Sequence, residues 1–161
     1  MTDARGGRRL AVFVAAEHPT TVDLDQVKAQ AELVLGEEGY EHAEVSILFV
    51  SDDDIAVWND RFLQKAGPTD VLSFPVEELT PGSPPPRNGG PPLLLGDVVI
   101  APDYVERQSA ELGVELADEM ALMVTHGLLH LLGYDHHAEA EAEAMEDRER
   151  HLLALMGRTR R

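Results

Sequence analysis

The chain has 161 residues, 43% of them hydrophobic, and its 30 acidic against 13 basic residues give a formal charge of −17. That length suits one domain able to bury roughly 70% of its unfolded surface. No apolar run approaches the ~20 residues of a membrane span, and a chain this acidic repels nucleic acid unless a basic or metal-bearing cleft offsets the field locally.

The absence of cysteine excludes disulfides, thiolate nucleophiles and cysteine-ligated zinc, and fits a cytoplasmic protein. Met1 to Arg9 is polar with three arginines and is expected to be a mobile tail. The apolar stretch after it, Leu10 to Ala16, is followed by Glu17-His18-Pro19 rather than a small-residue cleavage site, so no signal peptide is read there.

Leu10 to Ala15, rich in Val and Phe, reads as a strand. Asp23 to Leu35 reads as a helix whose Leu24, Val27, Ala31 and Val34 share a face, with Gly36 after it. Ala43 to Val50 is a second strand. Ser51 is an N-cap candidate, with Asp52 to Asp54 at the positive end of a helix that presents Ile55, Trp58 and Phe62 and ends before Gly67-Pro68. Val71 to Val76 is a third strand. Pro81 to Pro92 holds six prolines and three glycines, which predicts a long surface loop. Leu93 to Ala101 is a fourth strand, Asp103 to Leu112 a short helix started by Pro102, and Leu116 to Leu132 a strongly apolar helix. Ala138 to Met156 is built of good helix formers. No internal repeat is evident.

The order of elements predicts a single α+β domain over residues 10–157, a small mixed four-stranded sheet with helices mainly on one face. A second mobile tail is expected at 158–161. Acidity gathers in Glu37 to Asp54 and Glu139 to Glu149, while arginines cluster near both ends. Most of these charges read as a solvated surface.

His126, His130 and His136 form the pattern His-x3-His-x2-Gly-x2-His. Residues four apart share a helix face, so His126 and His130 aim at one point. Gly133 ends the helix by accepting a left-handed conformation, and the reversed chain returns His136. Three imidazoles suit one divalent metal, typically zinc, with a fourth position open. His137 is an alternative third ligand, although the glycine spacing favours His136. Asp135 reads equally as an orienting carboxylate or as a turn residue. His18, His42 and His151 lack partners at ligand spacing. The spacing matches that of metzincin proteases, whose second motif residue is a glutamate base; here it is Gly127. An ion can bring the pKa of water to about 7 without that base, and phosphodiester cleavage suits such a site better than peptide hydrolysis.

At these residues the chain resembles the YbeY family of bacterial rRNA maturation endoribonucleases. The block from His126 to His136 is similar to the family signature. Gly67-Pro-Thr-Asp-Val-Leu-Ser-Phe-Pro75, Leu95 to Ile100 and Trp58 to Phe62 agree in order and spacing. The resemblance runs from about Val45 to Met156. It implies a zinc ion on His126, His130 and His136, cleavage of single-stranded RNA, and a role in 16S rRNA 3′-end maturation and ribosome quality control. It also implies the small ribosomal subunit as partner, with neither DNA nor membrane. One position departs. The family often carries a functional arginine five residues before the proline of the second block, and here that residue is Leu63. Arg61 and Lys65 flank it, each about 200° around a helix. Lys65 matches a basic position of the family and is the candidate phosphate contact, and the metal together with residues such as Lys65 and Arg61 is expected to make the field near His126 positive. Thr69, Asp70 and Ser73 are cleft candidates whose turn chemistry after Gly67-Pro68 is an equally direct explanation. Phe74 reads as core, and Asp97 either faces the cleft or bonds a loop. Two other functions compete: a peptidase or amidohydrolase using the same ligands, and a non-catalytic ribosome assembly factor with a structural metal.

Overall fold

The strand Ala43 to Val50 shows most simply why the chain folds as it does. In β2 (His42–Phe49) Ala43, Val45, Ile47 and Phe49 are buried while the residues between them are half-buried, the period-two pattern of a strand with one face in a core. The computed structural model describes residues 9–86 and 89–161. Around β2 stand β1 (Arg9–Ala16), α1 (Leu24–Glu37), α2 (Asp52–Leu63), β3 (Val71–Pro75), β4 (Leu93–Ile100), α3 (Pro102–Leu112), α4 (Leu116–Leu131) and α5 (Glu139–Leu155). The sheet order is β1-β2-β4-β3. β1 and β4 run parallel to β2, and β3 closes the sheet antiparallel to β4. This is the expected mixed four-stranded sheet of a single α+β domain.

Eleven of the sixteen residues of α4 are buried, so it is enclosed on most sides as a central helix. It lies over β3 and β4, with α1, α3 and α5 packed around it. Met145, Leu152 and Leu153 of α5 join the same core as Leu128, Leu129 and Leu131 of α4. On β4 the core side is taken by Val98 and Ile100, while Val99 between them points the other way. There it meets Ile55, Leu72, Trp58 and Phe74. α2 therefore covers the opposite face at the β3 end, and the remaining helices share the main face.

Local signals explain most boundaries. Asp23 caps α1 through hydrogen bonds to the N–H groups of Asp25 and Gln26, and Ser51 caps α2 through that of Asp54. α1 differs from expectation. Gly36 is buried inside the helix, the Glu38 N–H bonds Val34 O, and the chain reverses at Gly39, whose φ is +88°. Gly36 therefore does not terminate the helix, which runs on to Glu37. β3 ends at Pro75, one residue early. The described parts of the proline-rich segment lie outside the named strands, as expected.

Residues 1–8 lie outside the described residues, and Arg9 is already in β1 opposite His42. Residues 158–161, expected to be a mobile tail, instead lie against α4 and α5. Arg158 approaches Asp118 at 3.6 Å, Arg160 Nε donates to Glu149 at 2.8 Å, and Arg161 Nε donates to both oxygens of Glu119 at 2.8 and 3.1 Å. Glu119 and Glu149 are each 1% exposed, and a buried carboxylate needs charged or hydrogen-bonding partners.

The contact that sets the position of α4 is at Gly127. A Cβ there would lie 2.6 Å from Val98 Cγ1 and 3.2 Å from Val71 Cγ2. Ser73 Oγ donates to Gly127 O at 2.8 Å, tying β3 to the same turn. Gly127→Ala is expected to cost about 1–3 kcal/mol through overpacking. Urea unfolding checks this: the midpoint should fall with little change in slope, and an unchanged midpoint would mean that the helix can lift off the sheet freely.

Candidate metal centre

His126 and His130 stand one turn apart near the end of α4. Leu132 then caps the helix and Gly133 turns the chain with φ +100°. A Cβ on Gly133 would lie 2.0 Å from Leu79 O, so only glycine fits this turn. The turn is held from outside: Tyr134 Oη donates to Glu38 at 2.6 Å, and Arg148 of α5 binds the other oxygen of Glu38. Burial and the Glu38 hydrogen bond push the Tyr134 hydroxyl well above its ordinary value, which keeps it a donor. His136 is thereby returned to the first two rings.

The three rings offer one nitrogen each, all within 4.8 Å of one another. Ring centroids are 4.5 Å apart for His126 and His130, 5.0 Å for His130 and His136, and 5.8 Å for His126 and His136. The hydrogen bonds behind the rings decide which atoms face inward. His126 Nδ1 is 2.7 Å from Glu149 Oε2 and His130 Nδ1 is 2.9 Å from Tyr134 O. A carbonyl accepts only, as does an ionised carboxylate, so both Nδ1 atoms carry the proton and both Nε2 atoms present lone pairs. Those Nε2 atoms are 3.1 Å apart. Two lone pairs facing at that distance repel unless a cation lies between them. A tetrahedral zinc with Zn–N of 2.0–2.1 Å places its nitrogens about 3.3 Å apart. The donor set therefore fits a divalent ion.

The charge states agree. Burial, helped by His126 and His136, pushes the His130 imidazole down to about 4, so it stays neutral, as a ligand must. Burial works to raise the Glu149 carboxyl, but its bonds to His126 and Arg160 outweigh it and leave Glu149 below the usual value.

Glu149 is the residue that sequence reasoning missed. Asp135 takes the turn role instead: Oδ1 accepts the His136 N–H at 2.8 Å and Oδ2 pairs with His137 at 3.0 Å. Among the described residues it has no hydrogen bond to the ring of His126, His130 or His136. A signal for Glu149 existed in the spacing of Met145, Glu149, Leu152 and Leu153, which puts an acid on the buried face of α5.

The cluster opens into a cleft of ≈ 940 Å³. Lys65 and Leu63 line it, whereas Arg61 does not. Thr69, Asp70 and Ser73 also line it, yet each has a structural bond: Thr69 to Asp70, Asp70 to the Val71 N–H and Gln108, Ser73 to Gly127 O. Asp97 is exposed on β4 and is not part of the cleft wall. His136 sits exposed and His137 pairs with Asp135, so His136 is the third member of the cluster. Among the described residues, three cations, Lys65, Arg160 and Arg161, meet five carboxylates on the cleft wall. These protein charges sum to −2, and a divalent ion would bring the formal sum to zero, short of the positive field expected from metal, Lys65 and Arg61 together.

The family model described as Endoribonuclease YbeY matches residues 14–157. Proteins named Endoribonuclease YbeY are similar over most of the chain. That of Beutenbergia cavernae is 42% identical over 145 residues, covering 89% of this chain and 95% of the relative. That of Salinispora tropica is 41% identical over 153 residues, covering 92% and 93%. The relative from Corynebacterium efficiens is 47% identical over 113 residues, 70% of this chain, and the match spans 56% of that longer protein. In fold, the chain is similar to the solution structure of TM1509 from Thermotoga maritima, with a TM-score of 0.60, 25% identity and 91% of each chain covered.

Glu149→Gln, which weakens the bond orienting His126, is expected to lower zinc affinity by about 10–100-fold. Asp135→Asn should change it far less. Competition with a chromophoric chelator ranks the two, and the reverse order would return the orienting role to Asp135.

Proposed function

The chain belongs to the Endoribonuclease YbeY family, and on that premise we propose that it is a metal-dependent endoribonuclease that cuts single-stranded RNA. The observation that carries this reading is the pair of Nε2 lone pairs turned toward each other at 3.1 Å on the wall of an open cleft. The proposed ligands are His126, His130 and His136, and the proposed ion is zinc, although three imidazoles also accept nickel, copper or cobalt.

When bound, the ion supplies Lewis acidity, which lowers the pKa of water and offsets charge on a phosphoryl group. The chain's own residues do the rest. Glu149 and the Tyr134 carbonyl hold His126 and His130 in the tautomer that points Nε2 inward. Gly127 offers no carboxylate, so no proton acceptor stands where a metzincin carries its base. The contact with Val98 leaves no room for one, which is the specific argument against the peptidase reading. Lys65 is the proposed phosphate contact. Leu63 places an apolar group where the family often has arginine, so charge compensation rests on the ion and on cations elsewhere in the cleft. A purely structural metal is disfavoured because structural zinc sites are closed by four protein ligands, whereas here three imidazoles converge and His136 is exposed.

The proposed setting is 16S rRNA 3′-end maturation and ribosome quality control, with single-stranded rRNA and the small ribosomal subunit as partners and neither DNA nor membrane. No helix of the described residues is long and apolar enough to cross a membrane. The proposed location is the cytoplasm, where this substrate is made.

Because the cleft wall is acidic by two without an ion, RNA affinity should depend on metal. Fluorescence anisotropy with a labelled single-stranded oligonucleotide is expected to show binding with zinc, little after chelation, and a salt slope reduced by about 0.7 in Lys65→Ala. Zinc-loaded protein should cleave the oligonucleotide and His126→Ala should not. Equal cleavage by both would identify a contaminating nuclease, and binding unaffected by chelation would contradict the charge argument.

A further inference from the structure

Glu149 uses both carboxylate oxygens. Oε2 holds His126 Nδ1 at 2.7 Å, and Oε1 accepts from Arg160 Nε at 2.8 Å. The carboxylate is 1% exposed and the arginine side chain 17%. With one bond alone, a glutamate carboxylate has a broad terminal torsion and little to fix its plane. A second bond to the opposite oxygen removes that freedom. The His126 ring takes its orientation from this carboxylate, so whatever locks Glu149 also locks His126.

Arg160 is itself held on both sides. After α5 the chain turns at Gly157, φ +72°, and the Arg158 N–H bonds Leu153 O at 2.8 Å. The Arg158 side chain approaches Asp118. Beyond it, Arg161 grips both oxygens of buried Glu119, and Arg160 Nη1 donates to Arg161 O at 2.7 Å. Side chains on α4 and α5 thus fasten the segment at three points, and its middle arginine reaches the carboxylate behind His126.

We propose that Arg160 is a positioning residue of the metal centre, acting through Glu149 to hold the His126 ring in its ligating orientation. This rests on the reading of the three histidines as a metal site. It assigns to the segment after α5 a part in that site in addition to any effect on stability.

The test measures the zinc dissociation constant of metal-free protein by chelator competition, with far-UV circular dichroism as the check on folding. Arg160→Ala is expected to raise Kd by about tenfold, the low end for residues that orient ligands. Arg160→Lys should recover most of the loss, and Arg160→Gln, which keeps a donor without the charge, should fall between them. The Gln variant carries the test if the Ala variant does not fold. Arg150→Ala, an exposed arginine of α5 paired with Asp147, should leave Kd unchanged. In a Glu149→Gln background Arg160→Ala should add almost nothing, because the two act through one contact. The inference falls if Arg160→Ala leaves Kd within about twofold of the unaltered chain, or if its full effect persists in the Glu149→Gln background. If the unaltered chain takes up no metal, the metal-centre reading fails first.

Discussion

The site depends on how closely α4 approaches the sheet at Gly127. With hydrogen in place of a side chain, the helix settles against Val98 and Val71, and Ser73 fastens the same turn to β3. His126 and His130 lie on either side of this contact in sequence, so the docking places both rings at the rim of the cleft. The same closeness removes the space that a glutamate base would need. One steric fact thus sets where the imidazoles stand and which chemistry they lack. A side chain at 127 would either lift α4 from the sheet or displace Val98, and both move the rings.

Electrostatics adds a second layer. Glu38, Glu119 and Glu149 are buried acids in an acidic protein, which is costly unless each is paired. Each has an arginine: Arg148, Arg161 and Arg160. These pairs differ in what else they touch. Glu38 also binds Tyr134 and so steadies the turn that carries His136. Glu149 also binds His126. The arginine side chains stay 17–37% exposed, so solvent screens part of each attraction, but losing one leaves a buried carboxylate short of compensation. These arginines therefore serve the fold and the geometry of the cluster together. Spent on pairing, two of them add less positive field to the cleft than their number suggests.

The parts of this arrangement that were legible in the sequence are local. The i, i+4 histidines and Gly133 are readable because a helix and its end impose fixed spacing. Ser51 is readable as a cap, and β2 by its alternation. Gly36 lies just inside the end of α1, because the left-handed conformation is taken at Gly39 instead. Glu149 was hidden. It sits 23 residues from His126, in a stretch where acids are so common that one more carries little signal. The arginines at 158–161 looked like a free end because their partners, Asp118, Glu119 and Glu149, lie on two different helices. Asp135, for which an orienting role and a turn role read equally, uses its side chain in the turn itself.

The central claim is that packing and hydrogen bonding pre-set the Nε2 lone pairs of His126 and His130, with the His136 ring beside them, for one ion with a position left open. X-ray absorption on zinc-loaded protein, purified without a metal-binding tag, tests it most directly. The account predicts a four-coordinate zinc with three imidazole ligands at about 2.0–2.1 Å and one oxygen ligand. A six-coordinate oxygen environment lacking imidazole scattering, or four protein ligands with no exchangeable position, would contradict it.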